Sequence, residues 1–383
     1  MRNKRKRRIR RKIARTAISS FFFIICCALI FGMAFVAMGT ENETRAQVSV
    51  LSLDAVSGFD MYINNLTSGA MDGVLPIAKV YYLADDVVVA PEPDQELFGS
   101  SQDPADTVAV LESASALLGD EGTLWNPDKK LMYGSSVGWY LDETIFAINW
   151  KEVIDSAVYT FAEVKVSHPS QFRRYMAGDA FSSPTQYVPS SMAASVNAVA
   201  AMNGDFYKFR NMGIVVYKGE LYRTQGERVD TCLVDSNGDM HFVKRGELTD
   251  EQETRRYIEE NDIKFSLAFG PVLIEDGENV APQTYIIGEI NDRYTRSAIC
   301  QLGPCHYLMV AASAEGGYKN VPTIRIFADV LHEMGVPNAY TLDGGQTATI
   351  IMNDKVINRV VYDAERAISD IIYFATAIPQ KDG

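Results

Sequence analysis

Between Ala17 and Met38 the chain runs for 22 residues without a charge, AISSFFFIICCALIFGMAFVAM, with Ser19, Ser20 and Gly32 as the interruptions. At ~1.5 Å per residue a helix of that length measures about 33 Å, enough to cross a hydrocarbon core of roughly 30 Å. The first fifteen residues hold ten Lys/Arg and no acid. Basic flanks stay cytoplasmic, so residues 1–16 read as a cytoplasmic arm and 17–38 as a transmembrane signal-anchor. The chain beyond residue 38 is then extracytoplasmic, in a single-pass protein of the cell membrane. The alternative is a cleaved signal peptide, because Ala37-Met38-Gly39 offers the small residues that a peptidase accepts.

Beyond the arm, 26 bases face 49 acids, a net of −23. So acidic a body repels a phosphate backbone, which excludes a general nucleic-acid binder. With 47% apolar and 22% charged residues the chain is not a disordered one. Four scattered histidines, without CxxC or HExxH, give no dedicated metal site, and no cofactor is expected. The acidic body would tolerate a divalent cation, but no ligand spacing supports one. Outside the apolar run lie Cys232, Cys300 and Cys305. An oxidising compartment permits either a Cys300–Cys305 bridge or free thiols.

Residues 39–136 read as a spacer or accessory region, with an acidic, Pro-interrupted stretch from Ala90 and one helix-like segment, Thr107 to Leu118. From 137 onwards short β-branched and aromatic runs alternate with turn signals. Lys218-Gly219, Asn237-Gly238 and Asp276-Gly277 each mark a tight hairpin. Thr249 and Gln252 suggest a capping box for a polar helix, and Thr323 caps Ile324–Met334, which Gly335 stops. The sequence His306–Ala311, Ile324–Met334, Ala339–Leu342 has the form strand–helix–strand, so part of the sheet is expected to be parallel. The expected fold class is therefore α+β, a mixed β-sheet with packed helices over residues 137–383, preceded by a single N-terminal transmembrane helix.

Two turns could carry chemistry. In Tyr340-Thr-Leu-Asp-Gly-Gly-Gln-Thr-Ala-Thr349 an apolar strand ends in Asp343, and Gly344 and Gly345 let a ligand approach bare backbone. In Ala200-Ala-Met-Asn-Gly-Asp-Phe-Tyr207 a second apolar strand runs into Asn203-Gly204-Asp205, and Lys208 and Arg210 come next, where they could face an anion. A third segment brings Arg293 and Arg296 into an apolar strand, and a guanidinium fork suits phosphate or carboxylate. Plain hairpin turns and a surface ion pair are the bland alternatives for these three segments.

Taken together, Asn203–Tyr207, Phe269-Gly270-Pro271, Arg296–Ile299, His306-Tyr307, Leu342–Gly345 and Glu365–Ile371 resemble, in order and spacing, the phosphodiester glycosidase family. The likeness covers roughly residues 140–377. It departs at Gly344-Gly345-Gln346-Thr347-Ala348, where many members read Gly-Gly-Gly-Ser-Ser, and at Ser313-Ala314-Glu315, where Asp-Gly-Arg is common. Cys300 stands where the family usually has Gly, and Cys305 where it is usually apolar, which favours the bridge.

The resemblance implies hydrolysis of a sugar-1-phosphodiester in envelope or exopolysaccharide glycoconjugates, so a carbohydrate is the expected partner beside the membrane. It also implies Asp343 as the carboxylate that acts as base or stabilises a cationic sugar, with Asp205 as its partner. Asn203 and Gly204 would meet the sugar, and Arg296, Gly344, Gly345, Gln346 and Thr347 the rest of the substrate. An inactive glycopolymer-binding or assembly module of the envelope is the alternative.

Overall fold

The computed structural model describes residues 81–286 and 288–379, and the basic arm and the apolar run at 17–38 lie outside them. The chain divides at residue 79 into two units, and all described residues belong to the second. Among the described residues no helix is long and apolar enough to cross a membrane.

The elements begin with β1 (Phe98–Ser101), α1 (Pro104–Leu118), β2 (Val137–Leu141), β3 (Ile145–Ile154), β4 (Ala157–Val166) and β5 (Phe172–Met176). Next come α2 (Pro189–Ser195), β6 (Ala200–Asn203), β7 (Gly213–Tyr217), β8 (Glu220–Gln225), β9 (Thr231–Asp235), β10 (Met240–Val243) and α3 (Glu251–Glu260). Strands β11 (Ile263–Leu267), β12 (Val272–Glu275), β13 (Glu278–Asn279), β14 (Arg296–Gly303) and β15 (His306–Ser313) precede α4 (Ile324–Glu333). The chain closes with β16 (Asn338–Leu342), β17 (Ile350–Met352), β18 (Lys355–Val356) and β19 (Asp370–Phe374).

This is a sheet-rich α+β fold with few helices. The main sheet has the order β1-β2-β3-β4-β15-β14-β16-β12-β13, and a second has β18-β17-β6-β19-β5. Two smaller sheets, β10-β9-β11 and β7-β8, complete the set. Strands β15 and β16 do run the same way, as the strand–helix–strand segment suggested, but they are not bonded to each other. Strand β14 lies between them and is antiparallel to both. The short Gly303–Cys305 turn lets β15 fold straight back on β14, so the helix crossover must carry β16 to β14's other edge.

The main sheet is buried on both faces, so its strands read as nearly continuous apolar runs. On β3, Phe146, Ile148 and Trp150 face the helical side with Phe327 and Leu331 of α4. Ile145 and Ala147 face the opposite way and share a core with Ile350 and Phe374 of the second sheet. Helix α4 starts as expected, with the Thr323 hydroxyl accepting from the Ile326 N–H at 3.3 Å. Helix α3 starts one residue later than the Thr249 box implied. Asp250 caps it by accepting from the Glu253 N–H at 2.9 Å, a role to which its carboxylate is suited.

The body reaches back before the expected boundary at 137. Strand β1 pairs with β2, and Ala114 and Leu118 of α1 join the helical-side core. Buried Glu163 fixes the segment after α1 by accepting from the Thr123 hydroxyl and the Leu124 and Trp125 N–H groups, and it also meets His306 Nε2 at 2.8 Å. The cysteine bridge does not form. Cys232, Cys300 and Cys305 are free, because Cys300 points into the helical-side core while Cys305 packs on the opposite one.

Candidate functional site

The two turns meet. Asn203 ends β6 in the second sheet and Asp343 comes directly after β16 in the first. The Asn203 Nδ2 donates to the Asp343 carbonyl at 2.9 Å and to the Gly204 carbonyl at 3.0 Å, while its Oδ1 accepts from the Thr349 N–H at 3.1 Å. Ser297 adds a second donor to the Asp343 carbonyl at 2.9 Å. The backbone of Asp343 is thus held from both sheets.

Its side chain is half-buried. Burial pushes the Asp343 pKa up to about 6, against the Thr347 hydroxyl, the charges of Arg210 and Arg366, and the Gly344 N–H, which all favour the carboxylate. Arg210 comes soon after the Asn-Gly-Asp turn. Its guanidinium lies 4.6 Å from the Phe269 ring centroid and 5.1 Å from that of Phe206, a cation over two aromatic rings. Its Nη1 is buried and has no hydrogen-bond partner among the described residues. Arg366 is exposed and sits 6.0 Å from the Phe206 ring on its own account.

The Gly-Gly turn positions the carboxylate, and Gln346 after it reaches the segment that carries Arg366. Gly344 passes so close to the Thr295 carbonyl that a Cβ would collide with it, which only glycine avoids. Gly345 turns at φ 65° and donates its N–H to that carbonyl at 2.8 Å. Gln346 reaches across to the Arg366 segment, its Nε2 donating to the Ala364 carbonyl at 3.0 Å. On the other side Glu365 accepts from the N–H and hydroxyl of Ser190, in the first turn of α2. Arg366 is therefore flanked by two anchors.

The remaining sequence candidates lie elsewhere or are occupied. Asp205 is buried in an ion cluster, where Arg174 Nη2 lies 3.0 Å from Asp205 Oδ1 and 2.7 Å from Asp370 Oδ2. Asp205 also accepts from the N–H groups of Tyr207 at 2.7 Å and Ala268 at 2.6 Å. Gly204 is required because a Cβ would strike the Asp370 carboxylate. Asp370's pKa is raised, first by burial and then, against the pull of Arg174, by the charge of Asp205. This cluster knits β5, β6 and β19 and presents no carboxylate to solvent.

Arg296 is likewise buried. It donates to the carbonyls of Glu289 at 2.7 Å, Asp292 at 2.6 Å and Pro322 at 3.4 Å, so it staples two loops and has no fork left for phosphate. The Gly345 N–H is taken by Thr295, and the Thr347 hydroxyl donates to the Gly344 carbonyl at 2.6 Å. Lys208 turns away to the Ser183 carbonyl. Arg210 and Arg366, rather than Arg296, are the arginines whose charges bear on Asp343. The signal for them was present, since one stands just after the Asn-Gly-Asp turn and the other lies in the closing Glu-Arg-Ala-Ile-Ser-Asp-Ile motif. Among the described residues no three His, Cys, Asp or Glu side chains gather as a metal site.

Residues 196–375 match the family model described as phosphodiester glycosidase. An uncharacterised SPbeta prophage-derived protein of Bacillus subtilis (strain 168), YomE, is 22% identical over 188 residues, which are 48% of this chain and 28% of that protein. The match thus spans little more than a quarter of that curated relative. Among solved structures, the zebrafish N-acetylglucosamine-1-phosphodiester alpha-N-acetylglucosaminidase catalytic domain, auto-inhibited by its pro-peptide, is similar with a TM-score of 0.48. It shows 16% identity and covers 61% of this chain and 83% of that one. A hypothetical protein from Synechocystis has the same TM-score, 14% identity, and coverage of 61% and 62%.

Proposed function

With residues 196–375 as a phosphodiester glycosidase domain, we propose that this protein hydrolyses a sugar-1-phosphodiester, with Asp343 as the working carboxylate and Arg210 and Arg366 as the phosphate clamp. The observation that carries this reading is the Arg210 guanidinium. It lies against two phenyl rings with a buried, unpartnered Nη1, and it acts electrostatically on a half-buried carboxylate. An unpaired donor beside a second exposed cation suits an anionic ligand.

The bond that breaks joins the anomeric carbon to a phosphate oxygen. Its electron pair leaves with the phosphate monoester, which is already a good anion, so little general-acid help is needed. Water supplies the new bond to the anomeric carbon and its proton passes to Asp343, which must be ionised to accept it. Before that, the same carboxylate stabilises positive charge growing on the sugar. Arg210 and Arg366 neutralise the departing phosphate. Asn203, Ser297 and Gln346 act by positioning the turn that carries Asp343 and the segment that carries Arg366.

The proposal extends to place: residues 17–38 anchor the domain on the outer side of the cell membrane, among envelope or exopolysaccharide glycoconjugates. A second reading, a glycopolymer-binding module without turnover, is favoured by the enclosure of Asp205, which leaves Asp343 without a carboxylate partner. Release of free sugar from a sugar-1-phosphodiester by the purified chain, and its loss in Asp343→Asn, supports hydrolysis. Binding of the ester without release would support the module instead.

A further inference from the structure

Polar groups continue past Arg210, on the side of the Phe269-Gly270-Pro271 motif. The Arg210 guanidinium rests on the Phe269 ring, and the next residue, Gly270, passes so close to the Tyr285 hydroxyl that a Cβ would collide with it. Over the Tyr285 ring, 4.9 Å from its centroid, lies another guanidinium, that of Arg245. Arg245 comes two residues after β10, and its backbone N–H donates to Asp230 Oδ1 at 3.0 Å, which fixes the segment that carries it. The charge of Arg210 bears on both Asp343 and the Tyr285 hydroxyl, and that of Arg245 bears on Tyr285. Arg210 therefore stands between Asp343 on one side and Tyr285 with Arg245 on the other.

All three side chains present donors that lack acceptors. Arg210 Nη1 has no hydrogen-bond partner among the described residues. The Tyr285 oxygen accepts from the Asp230 N–H at 2.6 Å, but its own O–H has no acceptor among them. Burial and the charge of Asp230 raise the Tyr285 pKa against the pull of Arg245 and Arg210, so that proton stays in place. The Arg245 guanidinium has neither an ion pair nor a hydrogen bond among the described residues, whereas its neighbour Lys244 pairs with Glu275 at 2.9 Å. Asp230 does not pair with that guanidinium, because its two oxygens accept from the backbone N–H groups of Arg245 and Val272. Beyond the basic arm 49 acids face 26 bases, so an arginine without an acid partner stands out. The row is open to solvent: Arg245 is exposed, Arg210 is partly exposed, and Tyr285 keeps 9% of its surface accessible.

We infer that Arg245 binds a second phosphate, so that the substrate is a sugar 1-diphosphate ester. This names the substrate class of the proposed hydrolysis and rests on that reading. The phosphate bonded to the anomeric carbon lies at Arg210 and Arg366, and the next one, a bridging oxygen further on, lies at Arg245. A succession of donors without acceptors selects a group that only accepts and carries more than one charge. A guanidinium laid over an aromatic ring keeps its fork free for such a group. In the reaction water bonds to the anomeric carbon and its proton passes to Asp343. The anomeric C–O bond breaks, and its electron pair leaves with the diphosphate monoester. The second phosphate shares the departing charge, and Arg245 neutralises that share.

The test compares the full-length chain with Arg245→Gln and Arg245→Lys, whose exposed position leaves the core intact. Substrates are the methyl esters of sugar 1-phosphates and of the matching sugar 1-diphosphates, over a panel of hexoses and N-acetylhexosamines. Methyl phosphate and methyl diphosphate are titrated calorimetrically as sugar-free probes. One charge-assisted contact to phosphate should give the unaltered chain a kcat/KM about tenfold or more higher on the diphosphate ester. Arg245→Gln should abolish that preference, and Arg245→Lys should restore part of it. Equal kcat/KM on the two esters, or a preference that survives Arg245→Gln, would overturn the second phosphate and leave the hydrolytic reading standing. Exchanging the methyl group for a nucleoside or a short isoprenyl chain tells a nucleotide sugar from a lipid-linked one, and a further gain with either upholds the proposal and names the source. If the unaltered chain cleaves no ester of the panel, the hydrolytic reading fails and calorimetry decides Arg245 alone. Methyl diphosphate bound more tightly than methyl phosphate, with the difference lost in Arg245→Gln, upholds the second phosphate site, and no difference removes it.

Discussion

The Asn203 carboxamide donates to the carbonyl of Asp343 at 2.9 Å, across 140 positions of sequence. That bond joins the second sheet to the main one where the half-buried carboxylate emerges. One side chain therefore fixes both the packing of two layers and the pose of Asp343. Its oxygen is engaged too, by Thr349, and the side chain is buried, so both ends of the amide serve the fold.

Asn203→Ala should therefore act through position and stability together. It strips the Thr349 N–H and the Gly204 carbonyl of their partner in a buried place, at ~1–3 kcal/mol for each unsatisfied group, while the Asp343 carbonyl loses one of two donors and keeps Ser297. Thermal unfolding should show the loss. The expected kinetic signature is a fall in kcat with little change in KM, because the phosphate clamp is untouched. A variant with normal kcat would leave Asn203 with a packing role alone.

Asp343 sets the pH dependence. Its folded pKa, at about 6, lies above the ordinary carboxylate value, so protonation favours the folded state. The stabilisation is full below the unfolded pKa of about 4 and is lost as pH rises through the folded value. Asp343→Asn should consequently be more stable than the natural chain at pH 8, by roughly 1–2 kcal/mol after allowance for partial exposure, and equal to it near pH 3. Activity should run the opposite way, rising with pH through about 6 as the carboxylate ionises. Calorimetric melting at the two pH values, beside a pH–rate profile, checks both.

Much of the fold was legible because its signals are local. Lys218-Gly219 and Asp276-Gly277 form tight turns with positive φ at both positions, and Asn237-Gly238 joins β9 to β10. Asp343 and Asn203 stood out for the same reason, as polar residues at strand ends next to glycine. The partners of the arginines were not legible. Arg174 lies in an ordinary strand and finds Asp205 and Asp370 through three-dimensional pairing, the second of them far along the chain. Arg296 and Arg210 look alike in sequence, and it is the carbonyls converging on one and the phenyl rings flanking the other that separate their roles. The strand order β15-β14-β16 was hidden similarly, since a crossover helix does not reveal how many strands it steps over.

Arg210→Ala should cost substrate affinity and also change the acidity of Asp343. A charge-assisted hydrogen bond to phosphate contributes about 1.5–3 kcal/mol, or roughly 10- to 150-fold in kcat/KM. Because the Arg210 charge favours the ionised carboxylate, its removal should move the rising limb of the pH–rate profile to higher pH. Arg210→Lys should restore part of the pH position and little of the rate, since a lysine cannot stack between Phe206 and Phe269 as a guanidinium does. A profile that stays in place in Arg210→Ala would separate that residue from Asp343.

Arg174→Met tests whether the enclosed acids are scaffold or chemistry. It leaves Asp205 and Asp370 buried together with no cation between them, a break expected to cost roughly 3–5 kcal/mol. Asp370 already holds its proton more tightly than an ordinary carboxylate, so in the variant one of the two acids should stay protonated to higher pH and recover part of the loss in acid. Asp205→Asn removes one charge and one of the two oxygens that accept from the Tyr207 and Ala268 N–H groups, so one buried N–H loses its acceptor at ~1–3 kcal/mol, and it should still destabilise less than Arg174→Met. If Asp205 serves only the fold, the surviving folded fraction of Asp205→Asn retains the kcat of the natural chain at temperatures below its melting point. A kcat reduced a hundredfold in fully folded protein would return Asp205 to the reaction.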